Sequence, residues 1–310
     1  MASPGNDPFS GSTVRNFLRH IFSPKIVGGD GSSANLVKTD IINVDNIYYS
    51  GKMIANGVTV KNDTEVTLGT NAGYGNQGAK SVAIGWTAGQ TNQGANAVAV
   101  GAISGNTTQG LGAVAVGYSA GQTSQGSNSV SIGINSGTTS QGLSAVAIGT
   151  NAGNVSQGQS SVAIGNAAGF IGQGQNGVAI GQSSGATTQN AFAVGVGYLA
   201  GQTNQGNSSI SIGKSAGNNN QSTLGIAIGT SAGETIQGQN AIAIGTLAGQ
   251  TNQHANSIVL NATGVNLSSV GVNTFTVKTI RGDTTSNLTS AGFKALYYNA
   301  TTGEIAVTTS

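Results

Sequence analysis

The chain has 310 residues, of which only 6% are charged and 5% are aromatic, and its formal net charge is +2. Within residues 66–261 the charged residues are Lys80, Lys214 and Glu234, so no basic stripe is available for a phosphate backbone, and we expect no nucleic-acid partner. The absence of cysteine excludes disulfide frameworks and thiolate metal sites, so stability must come from stacking and association.

Residues 1–35 are predicted to be an N-terminal anchor segment that contains a short amphipathic helix. Apolar residues follow helical i, i+3, i+4, i+7, i+8 spacing, and Pro24 ends the pattern. The candidate anchor residues are Val14, Phe17, Leu18, Ile21 and Phe22. The sequence leaves three roles open for this helix. It would dock on a partner protein, dock on copies of itself, or cover the end of the first coil of the next region. The segment lacks the apolar core of a signal peptide, so we expect synthesis in a cytosol and no membrane insertion.

Residues 36–65 are predicted to be a β cap or adaptor. Asn56-Gly57, between Met53–Ala55 and Val58–Val60, is typical of a two-residue hairpin turn. A stacked structure needs such a cap, because an open end presents unpaired backbone groups.

Residues 66–261 repeat a sixteen-residue unit without insertion or deletion. An apolar triplet begins each unit, at Val66, Val82, Val98, Val114, Val130, Val146, Val162, Val178, Val194, Ile210, Ile226, Ile242 and Ile258. Strict spacing predicts an all-β fold, a parallel β-roll or β-solenoid shaft of about 13 sixteen-residue rungs.

The consensus of a rung predicts two strands and several corners. In the first strand, Val82 and Ile84 are expected to point inward and Ala83 outward, because alternate residues lie on opposite faces. Gly85 and Gly89 are expected at corners that require positive φ or close backbone approach. A second short strand is expected around Thr91–Gln93, before the chain turns back.

One glutamine recurs in each of the first twelve rungs, and we predict that these residues form a structural ladder. Stacked rungs lie about 4.8 Å apart, a spacing at which identical amides hydrogen-bond along the stack. The ladder comprises Gln77, Gln93, Gln109, Gln125, Gln141, Gln157, Gln173, Gln189, Gln205, Gln221, Gln237 and Gln253.

The small cross-section of a rung predicts that the chain associates with copies of itself. Two large apolar side chains per rung offset only part of the entropy lost when sixteen residues become ordered. Lateral association through surfaces lined by Ala, Ser and Gly would supply the remainder.

The motif Ser81-Val-Ala-Ile-Gly85, followed by Ala88-Gly89, resembles the head repeats of trimeric autotransporter adhesins, whose unit is usually shorter. The resemblance covers residues 66–261 and implies a left-handed parallel β-roll that assembles as a homotrimer. It does not extend to a secretory signal or a membrane-anchor barrel.

Residues 262–310 are predicted to be a C-terminal β cap module. Phe275–Arg281 and the hairpin-like Leu296-Tyr-Tyr-Asn299 and Thr302-Gly-Glu-Ile305 resemble the end modules of fibre and appendage proteins of large double-stranded DNA viruses and tailed phages. This resemblance implies a virion fibre or minor capsid protein, made in the host cytoplasm, whose N-terminal segment binds other capsid or particle proteins. We expect a non-enzymatic, stiff and multivalent spacer or attachment element.

Catalytic and cofactor motifs arise from the repeat itself. Four Gly-x-Ser-x-Gly matches begin at Gly117, Gly181, Gly213 and Gly229. A serine hydrolase also needs a histidine oriented by a carboxylate, and the only histidines are His20 in the predicted helix and His254 in a glycine slot of the last coil. His, Asp and Glu do not cluster at metal-ligand spacing. We therefore predict no catalytic residue, no cofactor and no metal site.

Two other functions are compatible with the pattern. Trp86, Tyr118, Phe170 and Tyr198 would be contact residues of an adhesin that binds a host surface glycan or receptor. A threonine column would suit an ice-binding solenoid, although Val155 and Ile171 share its slot and favour an interior position. Its members are Thr91, Thr107, Thr123, Thr139, Thr187, Thr203, Thr235 and Thr251.

Overall fold

The structure is a computed structural model that describes residues 48–49, 52–53, 58–61, 65–278, 296–299, 301–303 and 305–307. The chain divides into two units, Met1–Ala55 and Asn56–Ser310. The anchor residues predicted between positions 14 and 22 lie outside the described residues. All regular elements in the described ranges are β-strands, and no helix there is long and apolar enough to span a membrane.

The first strands form two short hairpins. Strand β1 (Tyr48–Tyr49) pairs antiparallel with β2 (Lys52–Met53), and β3 (Val58–Lys61) pairs antiparallel with β4 (Glu65–Leu68). The hairpin turn predicted at Asn56-Gly57 lies outside the described residues. The pairing of β3 with β4 places β3 along the edge of the first rung, where it satisfies backbone groups that an open solenoid would expose.

The repeat forms one long sheet of 15 strands in which β3 is the antiparallel edge and the other 14 strands run parallel. After β4 its members are β5 (Val82–Ile84), β7 (Val98–Val100), β9 (Val114–Val116), β11 (Val130–Ile132), β13 (Val146–Ile148), β14 (Val162–Ile164), β16 (Val178–Ile180), β18 (Val194–Val196), β20 (Ile210–Ile212), β22 (Ile226–Ile228), β24 (Ile242–Ile244), β26 (Ile258–Asn261) and β27 (Phe275–Lys278).

A second strand in ten rungs forms the opposite side of the solenoid, in two parallel sheets. One sheet contains β6 (Thr91–Gln93), β8 (Thr107–Gln109), β10 (Thr123–Gln125) and β12 (Thr139–Gln141). The other contains β15 (Ile171–Gln173), β17 (Thr187–Gln189), β19 (Thr203–Gln205), β21 (Asn219–Gln221), β23 (Thr235–Gln237) and β25 (Thr251–Gln253). Between them, Val155 makes only isolated bridges to Thr139 and Ile171.

Each residue of a strand pairs with its equivalent sixteen positions along the chain, as Val82 does with Val98 and Gln93 with Gln109. This register confirms the predicted all-β parallel solenoid of about 13 turns. Rung positions are numbered below from the first residue of the apolar triplet, so that Val82 occupies position 1 and Ala97 position 16.

The triplet faces the opposite way from the prediction. Ala83, at position 2, is fully buried, whereas Val82 and Ile84 are only partly buried and point away from the rung interior. The reason is the side chain of Gln93, which crosses the interior and donates from Nε2 to the carbonyl oxygen of Val82 at 2.8 Å. The remaining space suits only small side chains, so the interior of a rung contains Ala83, Ala88, Gln93 and Ala97.

The corners combine glycine with residues in left-handed conformation. Gly85 has φ +130° and Gly89 has φ +52°, as the sequence predicted. Positions 6, 11 and 15 also have positive φ without being glycine, for example at Thr87 (53°), Asn92 (54°) and Asn96 (58°). Together with Gly89 these positions give four left-handed residues per rung, which allow the chain to close a turn in sixteen residues.

The C-terminal end of the shaft is covered by an irregular segment. Leu267 packs against the buried cluster that includes Ala248 and takes the place of the next rung. Strand β27 then pairs parallel with β26, with Phe275 opposite Ile258. The predicted C-terminal hairpin is present as β28 (Leu296–Tyr298) and β29 (Ile305–Val307), and its turn is stabilised by Asn299 Oδ1, which accepts from Thr301 N at 2.9 Å.

Candidate interaction surfaces

A continuous apolar sheet face is the most prominent surface of the described chain. Positions 1 and 3 point outward on 14 strands, and every one of these side chains is Val, Ile, Leu or Phe. Ile132, Ile180 and Ile244 are 39%, 37% and 40% exposed. The two columns together expose on the order of 1,500 Å² of apolar surface, several times the largest patch of a typical soluble monomer. We call these two columns the apolar face.

Large apolar residues also flank both edges of the apolar face. Position 5 follows the strand and carries Trp86 and Tyr118, which are 56% and 53% exposed. Positions 14 and 15 precede the strand and carry other exposed apolar side chains that the sequence analysis did not single out. These are Leu111, Leu143, Phe192 and Leu224.

The four aromatic residues predicted as surface contacts do not form one site. Trp86, Tyr118 and Tyr198 share position 5, where Tyr198 is 46% exposed. Phe170 occupies position 9 at a different corner and is half-buried. The structure thus places three of the four beside the apolar face and separates the fourth from them.

The glutamine column lies inside the solenoid. All its members from Gln93 to Gln253 are buried, and each donates from Nε2 to the carbonyl oxygen of the position 1 residue in its rung. Most also donate to the next amide, as Gln173 Nε2 does to Gln189 Oε1 at 3.0 Å. Gln77, in the first rung, is half-buried and donates to Gln93 Oε1 at 3.2 Å.

Serine enters the amide ladder where it replaces the inward alanine at position 2. Ser131 Oγ donates to Gln141 Oε1 at 2.7 Å, and Ser211 Oγ donates to Gln221 Oε1 at the same distance. Gln205 Nε2 in turn donates to Ser211 Oγ at 3.3 Å instead of to the next glutamine. The serine hydroxyl therefore hydrogen-bonds to glutamine amide atoms. In most rungs with alanine at position 2, those amide atoms hydrogen-bond directly to the glutamine of the next rung.

The threonine column is on the surface, which corrects the predicted interior position. Thr91, Thr107 and Thr139 are exposed, and Ile171 in the same slot is 43% exposed. The reason is the left-handed residue at position 11, such as Asn92 with φ 54°, which interrupts the alternation of the strand. Position 10 therefore points outward although the glutamine two residues later points inward. The β-branched Val155 and Ile171 suit an exposed strand position, so they do not indicate a core.

Motif residues of enzymes occupy structural positions. Ser119, in one of the Gly-x-Ser-x-Gly matches, is 5% exposed at a left-handed corner. His254 is exposed at the last rung, where its Nδ1 lies 2.9 Å from Ser269 Oγ, and the same oxygen accepts from the backbone N of His254. Within the part of the chain that the structure describes, no group of His, Asp and Glu residues is arranged to hold a metal ion.

The charged residues of the shaft lie off the apolar columns. Lys80 is at position 15, Lys214 at position 5 and Glu234 at position 9. Glu234 Oε2 accepts from Gln250 Nε2 at 2.8 Å, one rung away.

Comparisons with protein-family models, with curated proteins and with solved structures match nothing to this chain.

Proposed function

We propose that this protein is a non-enzymatic structural rod whose copies associate side by side through the apolar face. The observation that supports the proposal most directly is the uninterrupted pair of Val and Ile columns on 14 parallel strands. A stable interface buries about 800 Å² per partner, and the apolar face alone offers more than this area. Leaving it in water would be costly and would favour uncontrolled association.

A homotrimer fits the surface better than a two-layer sandwich. Closed cyclic symmetry presents the same face of each copy to a common axis. The apolar residues at positions 5 and 14–15 flank both edges of the face, and a threefold arrangement covers each edge with a neighbouring copy. The resemblance to trimeric adhesin head repeats favours the same number of copies.

In our proposal the trimer is a virion fibre or minor capsid component. About 13 rungs spaced roughly 4.8 Å apart give a stiff shaft close to 60 Å long. The N-terminal segment attaches it to other capsid or particle proteins, and three copies of the C-terminal module present several weak contacts at once, which raises avidity. If one terminus is protected from protease in purified virions, the result would support a position on the capsid. Absence of the protein from purified virions would refute it.

Association is tested with two lysines on the apolar face. We expect Ile148→Lys combined with Ile180→Lys to give a folded monomer in sedimentation equilibrium, because each association would bury unpaired ammonium groups at several kcal/mol apiece. The matched control is Thr139→Lys with Thr187→Lys, on the exposed opposite side, which should associate as the unmodified chain does. A monomeric, folded unmodified chain would contradict the proposal.

Ice binding is a second candidate, favoured by the exposure of the threonine column. Hydroxyl and methyl groups recur there at the spacing of the rungs over β6, β8, β10 and β12. If this surface binds ice, the purified protein will show thermal hysteresis, and Thr139→Lys with Thr187→Lys will abolish it while leaving association intact. Equal freezing and melting temperatures for the unmodified protein would exclude this function.

A further inference from the structure

A uniform apolar face does not by itself fix how two copies align along the rod. Rungs repeat every sixteen residues, and each presents Val or Ile at positions 1 and 3. A copy shifted by one rung loses only the contacts of one terminal rung, so many alignments would have similar free energies. Repetitive surfaces are prone to such slippage for the same reason that featureless strands are.

The bulky residues at position 5 break this uniformity. Trp86, Tyr118, Ile134 and Tyr198 are all between 46% and 56% exposed beside the apolar face. The other position 5 residues of residues 66–257 are smaller or polar, namely Thr70, Ala102, Thr150, Asn166, Gln182, Lys214, Thr230 and Thr246.

The spacing of the four residues distinguishes every alignment. Their separations along the chain are 16, 32, 48, 64, 80 and 112 residues, and no two are equal. Any shift of one parallel copy by whole rungs therefore brings at most one of the four level with another of the four. Only the unshifted alignment brings all four level with their equivalents.

The two tyrosine rungs share features at neighbouring positions. Position 3 is usually Ile, and three rungs carry the valine that is one methylene smaller: Val116 and Val196 in the two tyrosine rungs, and Val100 in the rung of Ala102. The strands of these two rungs also have bulky residues at their opposite edge, because the preceding rungs end with Leu111 and Phe192, which are 52% and 57% exposed. These rungs therefore form two wide apolar layers, separated by rungs with narrower apolar edges.

We propose that Trp86, Tyr118, Ile134 and Tyr198 fix the parallel, in-register alignment of copies of this chain, a role that rests on the proposed association through the apolar face. In register, bulky side chains of all copies pack within the same layer. After a shift, an aromatic side chain of one copy lies against a polar position 5 residue of its neighbour, such as Gln182 or Lys214. The space that the equivalent aromatic side chain of the neighbour would have filled is then left empty. Both changes are penalised because interfaces pack as densely as protein interiors.

The chain has no cysteine, so disulfide trapping can report the alignment without background. Chains with Ile148→Cys and chains with Ile180→Cys, distinguished by tags of different mass, are mixed, unfolded, refolded together and oxidised. The two sites are two rungs apart, or about 10 Å along the rod. A disulfide requires Cα atoms within about 7 Å, so in-register copies link only equal sites. A copy shifted by two rungs links the two different sites, as does an antiparallel copy whose centre lies midway between them.

We expect only disulfides between equal sites in the otherwise unmodified chain. Replacing all four residues with threonine, the natural occupant at Thr150 and Thr230, should raise the fraction of disulfides between different sites by about tenfold. The matched control, Ile171→Thr with Ile236→Thr, removes exposed apolar residues on the other side of the solenoid and should leave the disulfide pattern unchanged.

Several outcomes would overturn the assignment. Disulfides between different sites in the unmodified chain would show that the alignment is not fixed in register. An unchanged pattern in the fourfold variant would show that these residues do not set it, and would favour a glycan or receptor contact for the aromatic side chains. A monomer in sedimentation equilibrium would instead refute the association itself, and an associated protein without disulfides would show that copies meet through another surface.

Discussion

Gly149→Ala is expected to lower the free energy of unfolding by about 3 kcal/mol or more, because it combines a strained backbone with a direct clash. Gly149 has φ +126°, and a Cβ there would lie 2.7 Å from the carbonyl oxygen of Gly165 in the next rung. Neither backbone can move away without breaking the pairing of β13 with β14. Urea unfolding followed by circular dichroism would measure the loss.

The control for this substitution is Gly172→Asn. Gly172 has φ +68°, and the nearest atom to a Cβ there is Thr188 Cα at 4.0 Å. The same rung position is occupied by Asn92 and Asn204 with φ of 54° and 52°. We expect a change within about 0.5 kcal/mol, or a slight gain, since asparagine tolerates this conformation and restricts the unfolded chain more than glycine does. Equal losses for the two variants would contradict the stacking argument.

Gln173→Ala is expected to cost about 3 kcal/mol, because it removes hydrogen bonds inside a closed interior and leaves a cavity. Gln173 Nε2 donates to the carbonyl oxygen of Val162 at 2.8 Å and to Gln189 Oε1 at 3.0 Å, while its own Oε1 accepts from Gln157 Nε2 at 3.2 Å. Each of these partners would lose a hydrogen bond without access to water. The midpoint of urea unfolding should fall accordingly.

Gln175→Ala provides the comparison, since Gln175 is exposed only two residues along the chain. This change should alter the free energy of unfolding by less than about 0.5 kcal/mol. Gln173→Met separates the two contributions, because it keeps most of the volume but cannot donate to Val162. Full stability of that variant would mean that the ladder acts by filling space and not by hydrogen bonding.

The repeat alone predicted the stacked architecture, since a strict sixteen-residue spacing has few other structural solutions. It did not predict which face of the triplet is buried. Alternation shows that Val82 and Ala83 lie on opposite faces, but not which one faces inward. A signal was present in the sequence: position 2 of the internal rungs accepts only Ala, Ser or Gly, as at Ala83, Ser131 and Gly195, whereas positions 1 and 3 exchange Val and Ile freely.

The surfaces were predicted less completely than the core ladder. The glutamine spacing located the buried amides, because equal side chains 4.8 Å apart suit each other. The threonine column was misplaced because Val155 and Ile171 resemble core residues. The left-handed corners escaped prediction because residues such as Ile103 and Phe192 rarely adopt φ of 62° and 59°. Their conformation is imposed by hydrogen bonds to the adjacent rung, such as that from Ile103 N to the carbonyl oxygen of Trp86 at 2.8 Å.

The uniform pairing of every rung with its neighbour has a consequence for how the protein folds. Partners in the long sheet lie sixteen residues apart in sequence, a short separation for an all-β protein. Closing each new turn therefore requires one short loop and no distant segment, and a completed rung is a template for the next. The shaft should grow by zipping from an ordered turn, so its length adds little to the barrier of folding.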